Sequence, residues 1–474
     1  MIKKKILSVA DAKKLDIKTI QTFYKDYISK SQLNFFKNFS FGNDVIDKAE
    51  GSFLFTNNKK ILDLTGGIGV LNHGHNNTRI LDERISFQKE KRMEVHKLFF
   101  SQYLAALSYN IAQILPGDLN RSFFPNSGAE AIEGAIKLAY KYFNGKRKNI
   151  LHSDISFHGK TIAAASISRS KEINFDYQKI SGTESFEFNN FENLKEIVYS
   201  SKKLGKEYYA IIIEPLSAST LRITDNHFLK QVRDLCTREN IILIYDEIYS
   251  GWCKTGNLFN FFRSDTIPDI LVYAKSFGGG KASISGYTTR DNIMTKAYDN
   301  SDDFGLQSST YNGFGEECIT AIESINIILE NNYEQKSIKN GEILKSILEN
   351  VKNQFPNIID EIRGSGSFQG ATLKNPFNSK LENLLINFIP IKSYRDKNFF
   401  KKLLCASIIN HLYLEKNTLT FGSFASDVLF KISPPIEINY SDLKNFEKDL
   451  INTLKIGSFT LISNFLKYKF SKKW

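Results

Sequence analysis

Several features are scarce in this sequence, and each scarcity narrows what the protein does. The four cysteines, Cys236, Cys253, Cys318 and Cys405, lie far apart and form no CxxC pair. Neither a disulfide framework nor a zinc site is therefore indicated, and the chain reads as cytoplasmic, from a reducing compartment. No apolar run approaches the roughly 20 residues of a membrane span. The opening Met-Ile-Lys-Lys-Lys runs into a mixed polar segment, without the apolar stretch of a signal peptide. Proline- or serine-rich linkers and internal repeats are missing as well. Lysine and arginine number 63 against 51 acids, a net charge of +12. They are spread along the chain rather than gathered into a stripe, which argues against a nucleic-acid partner. The basic ends, Lys3, Lys4 and Lys5 at the start and Lys467, Lys469, Lys472 and Lys473 at the finish, read as solvated tails.

What is present is ordinary globular material: 474 residues, 42% apolar and 24% charged, enough for two or three packed units with a large core. In the middle of the chain, short β-rich apolar runs alternate with longer helical patterns, which points to an α/β fold with a parallel sheet covered on both faces. Strands are expected at Tyr209 to Ile213, Ile241 to Tyr245 and Ile270 to Tyr273, with a helix over Phe228 to Arg238 as one of the crossovers. Near Asn331 the chain enters a long charged helical stretch to about Asn353, then the glycine-containing Arg363-Gly-Ser-Gly-Ser-Phe-Gln-Gly370. This pattern suggests a second, smaller unit. The expected division is residues 1–82 as an N-terminal part of the small domain, 83–330 as the large domain and 331–474 as the rest of the small domain. Leu454 to Phe470 carries Phe459, Ile462, Phe465, Leu466 and Phe470 on one helical side, which suits a terminal helix docked on its own domain better than one bound to a membrane surface or a partner.

Three strand ends carry the chemistry. Phe123-Phe-Pro-Asn-Ser-Gly-Ala-Glu130 turns through Ser-Gly into a run with Ala131, Ile132, Ala135, Ile136, Leu138 and Ala139 at helical spacing. Such a turn is an ordinary N-cap, and equally a place where unpaired backbone N–H groups and aligned dipoles favour an anion such as phosphate. Asp246-Glu247 follows an apolar strand, at the edge where open α/β sheets bind ligands. Such an acid either caps a helix or loop or meets a cation. A carboxylate about 4 Å from a ring cation gains about 4 kcal/mol at an effective dielectric near 20, enough to raise the ring's pKa by up to about 3. Lys275 comes two residues after Ile270-Leu-Val-Tyr273 and just before Ser276-Phe-Gly-Gly-Gly280. Most lysines are surface lysines, but an amine at an apolar strand end beside a glycine run can lose its proton and attack a carbonyl. Together the three read as a phosphate cradle, an acid for a ring nitrogen and an imine-forming lysine on one sheet edge.

From about Phe53 to Tyr440 the sequence resembles the class III aminotransferases, the ornithine-, 4-aminobutyrate- and putrescine-aminotransferase-like family of fold type I pyridoxal-phosphate enzymes. Leu62-Asp-Leu-Thr-Gly-Gly-Ile-Gly-Val-Leu-Asn-His-Gly-His75 is similar to the family's N-terminal glycine segment, which lines the active-site entrance. Asn126-Ser-Gly-Ala-Glu-Ala131 resembles its phosphate loop, which implies Ser127, Gly128 and Ala129 as phosphate ligands. Phe157-His-Gly-Lys-Thr161 resembles the segment that stacks an aromatic on the cofactor ring, implying Phe157 for that role, with His158 beside it; offset stacking suits a flat heterocycle, and otherwise Phe157 is core. Ile213-Glu-Pro215 matches the next strand end, with Glu214. Asp246-Glu-Ile-Tyr-Ser-Gly251 implies Asp246 as the partner of the pyridine nitrogen, and Ala274-Lys-Ser-Phe-Gly-Gly-Gly280 implies Lys275 as the Schiff-base residue. Ser309-Thr-Tyr-Asn-Gly313 resembles the stretch that reaches the neighbouring subunit's phosphate, implying Thr310 as a ligand in trans and a homodimer with active sites at the subunit interface. The implied fold is a large domain with a mostly parallel seven-stranded sheet plus a smaller α+β domain.

The chain also departs from the family. Tyr249 stands where many relatives have a Gln near the cofactor's phenolic oxygen; a phenol can still donate there, with different size and acidity. Ser219 and Lys431 occupy positions that carry a Glu and an Arg in ornithine-type relatives. A lysine is a point charge rather than a bidentate fork, so carboxylate recognition is expected to be looser or built differently. Arg363 is an alternative anion ligand or a structural part of its glycine turn. The implied activity is pyridoxal 5'-phosphate-dependent transfer of an amino group, from a terminal amine (a diamine first) or amino acid to a 2-oxo acid or aldehyde, through Lys275. An aminomutase, racemase or decarboxylase on the same scaffold is the alternative, followed by a non-catalytic basic binding protein.

Overall fold

The computed structural model describes residues 6–94, 98–168, 178–299, 302–377, 398–424 and 427–471. Lys3, Lys4, Lys5, Lys472 and Lys473 lie outside them, as do the side chains of Lys469 and Phe470. The centre is a seven-stranded sheet in the spatial order Leu119–Phe123, Gly286–Arg290, Ile270–Tyr273, Ile242–Asp246, Tyr208–Ile213, Asn149–Ser153, Thr183–Phe186. Gly286–Arg290 alone runs antiparallel to its neighbours; the other pairings in the sheet are parallel. The apolar runs read from the sequence form the middle of this sheet. Every residue of Tyr208–Ile213, Ile242–Asp246 and Ile270–Tyr273 is buried, as strands covered on both faces must be.

Two layers provide that cover. On one face the helix Gly128–Tyr142 sets Ala131, Ile132, Ala135 and Ala139 against Ile212, Ile244 and Val272. On the other, the helix Asn226–Glu239 packs Phe228, Leu229, Val232 and Leu235 with Ile211, Leu243 and Leu271. A second core holds the antiparallel sheet Ile359–Ser365, Phe368–Leu373, Val428–Ile432, Phe421–Phe424. It is covered by the helices Tyr333–Gln354, Phe399–Lys416, Tyr440–Lys455 and Ser458–Ser471. The small strand Thr418–Leu419 pairs in parallel with Lys60–Asp63, so the N-terminal segment is tied to the chain's last third. Among the described residues no helix is long and apolar enough to cross a membrane.

Two expectations need correction at their edges. The strand expected at Ile241 to Tyr245 runs one residue further along, Ile242–Asp246. Asp246 is thus its last residue rather than the first after it, because the ladder continues to a bond from Glu247 N–H to Val272 O (2.8 Å). The terminal stretch Leu454 to Phe470 is not one helix. Gly457, with φ +85°, separates Tyr440–Lys455 from Ser458–Ser471, so Leu454 belongs to the earlier helix. Leu461 and Ile462 are buried in the second core and Phe465 is buried beside Phe39, ring centroids 6.5 Å apart, whereas Phe459 is 73% exposed.

An aromatic cluster supports the turn that carries Lys275. Trp252, fully buried, stacks on Phe277 at 5.0 Å and 11° and meets Tyr273 edge-on at 5.5 Å; Phe277 lies in the turn Lys275–Gly278. Trp252→Ala is expected to lower stability by about 3–5 kcal/mol, read as a fall in the urea midpoint; an unchanged midpoint contradicts this packing.

Candidate active site

The site lies where the parallel strands end. Ser127 caps the helix Gly128–Tyr142, its backbone extended (φ −135°, ψ 154°) and its Oγ accepting from Glu130 N–H at 3.3 Å. The first helical bond is Ala131 N–H to Ser127 O (3.0 Å). A helix start of this kind leaves the N–H groups of Gly128 and Ala129 without intrahelical acceptors. This start is pressed against the neighbouring strand ends: a Cβ on Gly128 would stand 3.0 Å from Ile248 Cδ1 and 3.4 Å from Ala274 Cβ. The close approach brings an anion-favouring dipole end beside both Asp246 and Lys275.

Asp246, 4% exposed, accepts from His158 Nδ1 at 2.6 Å and from Ile248 N–H at 3.0 Å. His158 donates its Nδ1 proton there, which fixes the tautomer. Its own backbone N–H is held by Ser168 Oγ at 2.8 Å, and its Nε2 is buried without a partner among the described residues. Next to this pair, Glu214 accepts from Phe157 N–H (2.9 Å) and Ala218 N–H (3.0 Å). Burial pushes its carboxyl up to about 7, against the pull of His158 and with the push of Asp246.

Lys275 begins a short turn after Ile270–Tyr273 in the left-handed region, φ +51°. A non-glycine residue pays about 1–2 kcal/mol for that conformation, a strain that gathers at functional sites. Burial holds its amine down, to about 8, while Asp246 and Glu214 pull the other way. Among the described residues Nζ has no hydrogen-bond or ion-pair partner; it sits 4.6 Å from the centre of the Tyr249 ring. The Tyr249 hydroxyl points instead at Ser433 Oγ, 3.4 Å away, and burial raises its pKa.

These groups line one cavity of about 600 Å³, which contains Ser127, Gly128, Ala129, Phe157, His158, Glu214, Asp246, Tyr249, Lys275, Ser219 and Lys431. That volume is within the roughly 300–1,000 Å³ of ligand pockets. Size does not single it out, since depressions of about 650 and 720 Å³ lie elsewhere on the chain; its chemistry does. A helix start, a buried acid with an orphaned imidazole nitrogen and an unpaired amine all converge on the space, so the residues fit a flat phosphorylated heterocycle. Ile68 and Val70 of the early glycine segment also line it. Lys431 is buried, its Nζ donating to Ala218 O at 2.7 Å.

Two sequence candidates lie apart from this cavity. Arg363 is paired with Glu361 (2.6 Å) and Asp427 (2.5 Å) and also donates to Thr220 O, an engagement that suits the structural alternative. Thr310 is exposed on a loop, outside the cavity lining. Sequence reasoning missed Phe368, which stacks on Tyr249 at 4.2 Å and 15°. An apolar residue far downstream carries no local signal for such a contact.

Glu214 provides a test of this arrangement. Its folded pKa, raised from 4.5 to about 7, means that the folded state binds more proton between those values. The stability it contributes is full below pH 4.5 and is lost as pH rises through 7. Glu214→Gln is expected to flatten this decline, so that the variant improves relative to the parent from pH 5 to 8 in thermal melts; parallel curves across that range would contradict the burial.

The family model described as aminotransferase class-III matches residues 40–404. Among solved structures, the ornithine aminotransferase from Toxoplasma gondii ME49 is 21% identical with a TM-score of 0.76, covering 98% of this chain and 98% of its own. A second structure of the T. gondii enzyme, with partial occupancy of PLP at its active site, is 20% identical with a TM-score of 0.74 over 96% of this chain and 100% of that one. A thermostable omega transaminase from Pseudomonas jessenii is 17% identical with a TM-score of 0.77 over 89% and 94%. At these identities the structural likeness establishes the fold; the family match goes further. The chain belongs to the class-III aminotransferases and is a pyridoxal-phosphate-dependent transaminase.

Proposed function

We propose that Lys275 is the amine through which this transaminase holds its cofactor and moves the proton, with Asp246 as the acid that keeps the cofactor ring charged. The supporting observation is the meeting of the Ser127–Ala129 helix start, Asp246 and Lys275 in one cavity. Pyridoxal phosphate supplies an aldehyde that captures amines and a protonated ring that draws electrons from the carbon beside the captured nitrogen. Gly128 and Ala129 offer backbone N–H groups, and Ser127 a hydroxyl, to its phosphate. Phe157 offers a ring face. His158 orients the Asp246 carboxyl, leaving lone pairs on its oxygens for a ring N–H. Glu214 ties the Phe157 and Ala218 backbones together and so fixes two walls of the cavity.

An amine held near 8 is partly deprotonated at physiological pH, so Nζ of Lys275 can take the proton from the donor carbon and return it on the cofactor side. The amino donor is a terminal amine or amino acid, and the acceptor a 2-oxo acid or aldehyde. Lys431 places positive charge in the cavity wall, near Ser219, which favours the carboxylate-bearing reactant there over a second ammonium. Tyr249 is the remaining cavity residue whose role the family pattern leaves open. Arg363, committed to Glu361 and Asp427, acts in the turn rather than on substrate.

We also infer a homodimer working in the cytoplasm, with Thr310 reaching the partner's phosphate. Support comes from the surface around that loop, where Phe100 and Tyr311 are exposed and Phe100 lines a depression with Gly305, Asn312 and Gly313. The division into residues 83–330 as the cofactor-binding domain, with 1–82 and 331–474 forming the smaller one, is supported by the grouping of all seven central strands between Leu119 and Arg290.

Borohydride reduction of the cofactor-loaded protein, followed by peptide mass mapping, should attach the pyridoxyl group to Lys275. Lys275→Ala should lose the visible absorbance band and slow transamination by at least about 10²–10⁴-fold. Labelling of another lysine, or normal turnover by the Ala variant, would refute the assignment. Lys431→Met should raise KM for a 2-oxo acid roughly 10-fold, about the worth of a hydrogen bond to a charged group, with kcat little changed; an unaltered KM removes Lys431 from the substrate site.

A further inference from the structure

Tyr249 departs from the family pattern, and its surroundings show what it meets. Its ring is clamped. On one side it stacks on Phe368, with centroids 4.2 Å apart and planes at 15°. Gly69 makes the close approach possible elsewhere on the ring: a Cβ at this position, where φ is +85°, would stand 2.8 Å from Tyr249 Cε1 and Cζ. The hydroxyl is turned to Ser433 Oγ at 3.4 Å, longer than an ordinary O–H···O bond of roughly 2.5–3.0 Å. The ring is thus fixed by packing, and the hydroxyl is only loosely engaged.

The ring face is what Lys275 finds. Its Nζ lies 4.6 Å from the Tyr249 centroid, inside the roughly 6 Å at which an aromatic quadrupole attracts a cation. The charged groups turned toward this amine are Asp246 at the end of Ile242–Asp246 and Glu214 after Tyr208–Ile213, and Lys160 and Lys431 line the same cavity. None of these touches Nζ as a hydrogen-bond or ion-pair partner.

We propose that Tyr249 is a positioning residue for Lys275: its ring face, not its hydroxyl, seats the lysine's positively charged nitrogen in the active site. This rests on the reading of Lys275 as the cofactor amine. A ring that attracts the cation favours the protonated nitrogen, so removing it lets the proton leave at lower pH. A polar donor at this position would act through a single directed bond to whatever lies opposite. An aromatic face instead offers Nζ attraction without a directed bond.

The test is a pH titration of the visible band of the cofactor-loaded protein, comparing the parent with Tyr249→Phe, Tyr249→Leu and Phe368→Leu. Tyr249→Leu is expected to titrate about half a unit to one unit lower, Tyr249→Phe with the parent, and Phe368→Leu lower by a smaller step, because it loosens the ring while leaving it present. A Leu variant that titrates with the parent, or a Phe variant that moves as far as Leu, overturns the proposal. Should Tyr249→Leu not fold, an unmoved midpoint in Phe368→Leu overturns it alone. Lys275→Ala, run alongside, separates the two readings: a visible band surviving there would refute the lysine assignment itself, whatever the Tyr249 variants do.

Discussion

A carboxyl group at the end of a fully buried strand is expensive unless something satisfies it, and the 2.6 Å contact between Asp246 and His158 is what makes that position tenable here. The strand Ile242–Asp246 is buried throughout, so its last residue emerges inside the protein rather than in solvent. His158 comes from the segment that follows Asn149–Ser153, two strands away in the sheet. Its ring is fully buried and oriented by the carboxylate on one nitrogen. That contact lines one side of the cavity with an acid and the imidazole that orients it. Glu214 next to it is pushed toward its neutral form, as expected of a second acid that lacks such a partner.

The opposite pole is Lys275. Its left-handed backbone, the aromatic packing of Trp252 and Phe277 under its turn and the bond from Ser276 Oγ to Gly69 O (2.8 Å) fix where the amine emerges. That last bond joins the lysine turn to the early glycine segment. The same segment is joined to the second core through Ser433 N–H to Leu64 O (2.7 Å), and Gly66 sits so close to Ser433 O that a Cβ would stand 2.4 Å from it. Residues contributed by both hydrophobic cores are thereby held against one cavity, with Asp246 and Lys275 from the large sheet and Phe421, Ser423 and Lys431 from the smaller one.

Much of this is legible in the sequence because the proposed reactive residues sit at strand ends, and strand ends are marked by abrupt changes from apolar runs to glycine, serine or charge. Asp246 and Lys275 were found this way, with an error of a single residue at the strand boundary, set by one further ladder bond. Ser127 was found because an N-cap and an amphipathic run together specify a helix start. Leu454 falls in the earlier helix because Gly457 breaks the run, and Phe459, in the first turn after the break, stays exposed; helical spacing alone shows neither. The family position of Tyr249 allows a phenol donor there, but the packing of its ring on Phe368 and Gly69, with Lys275 over its face, is not legible from that position. Contacts between residues so distant in sequence leave no local pattern. The pairing of Arg363 with Asp427, far downstream, is likewise invisible in its own glycine turn.

The central claim is that one cofactor ring lies between Asp246 and Lys275 with its phosphate on the helix start. A crystal structure of the protein grown with pyridoxal 5'-phosphate tests this most directly. The account predicts continuous density from Lys275 Nζ to the cofactor, a ring nitrogen about 2.6–3.2 Å from an Asp246 carboxylate oxygen, and phosphate oxygens at the N–H groups of Gly128 and Ala129. A cofactor bound elsewhere, or one whose ring nitrogen faces away from Asp246, would contradict it.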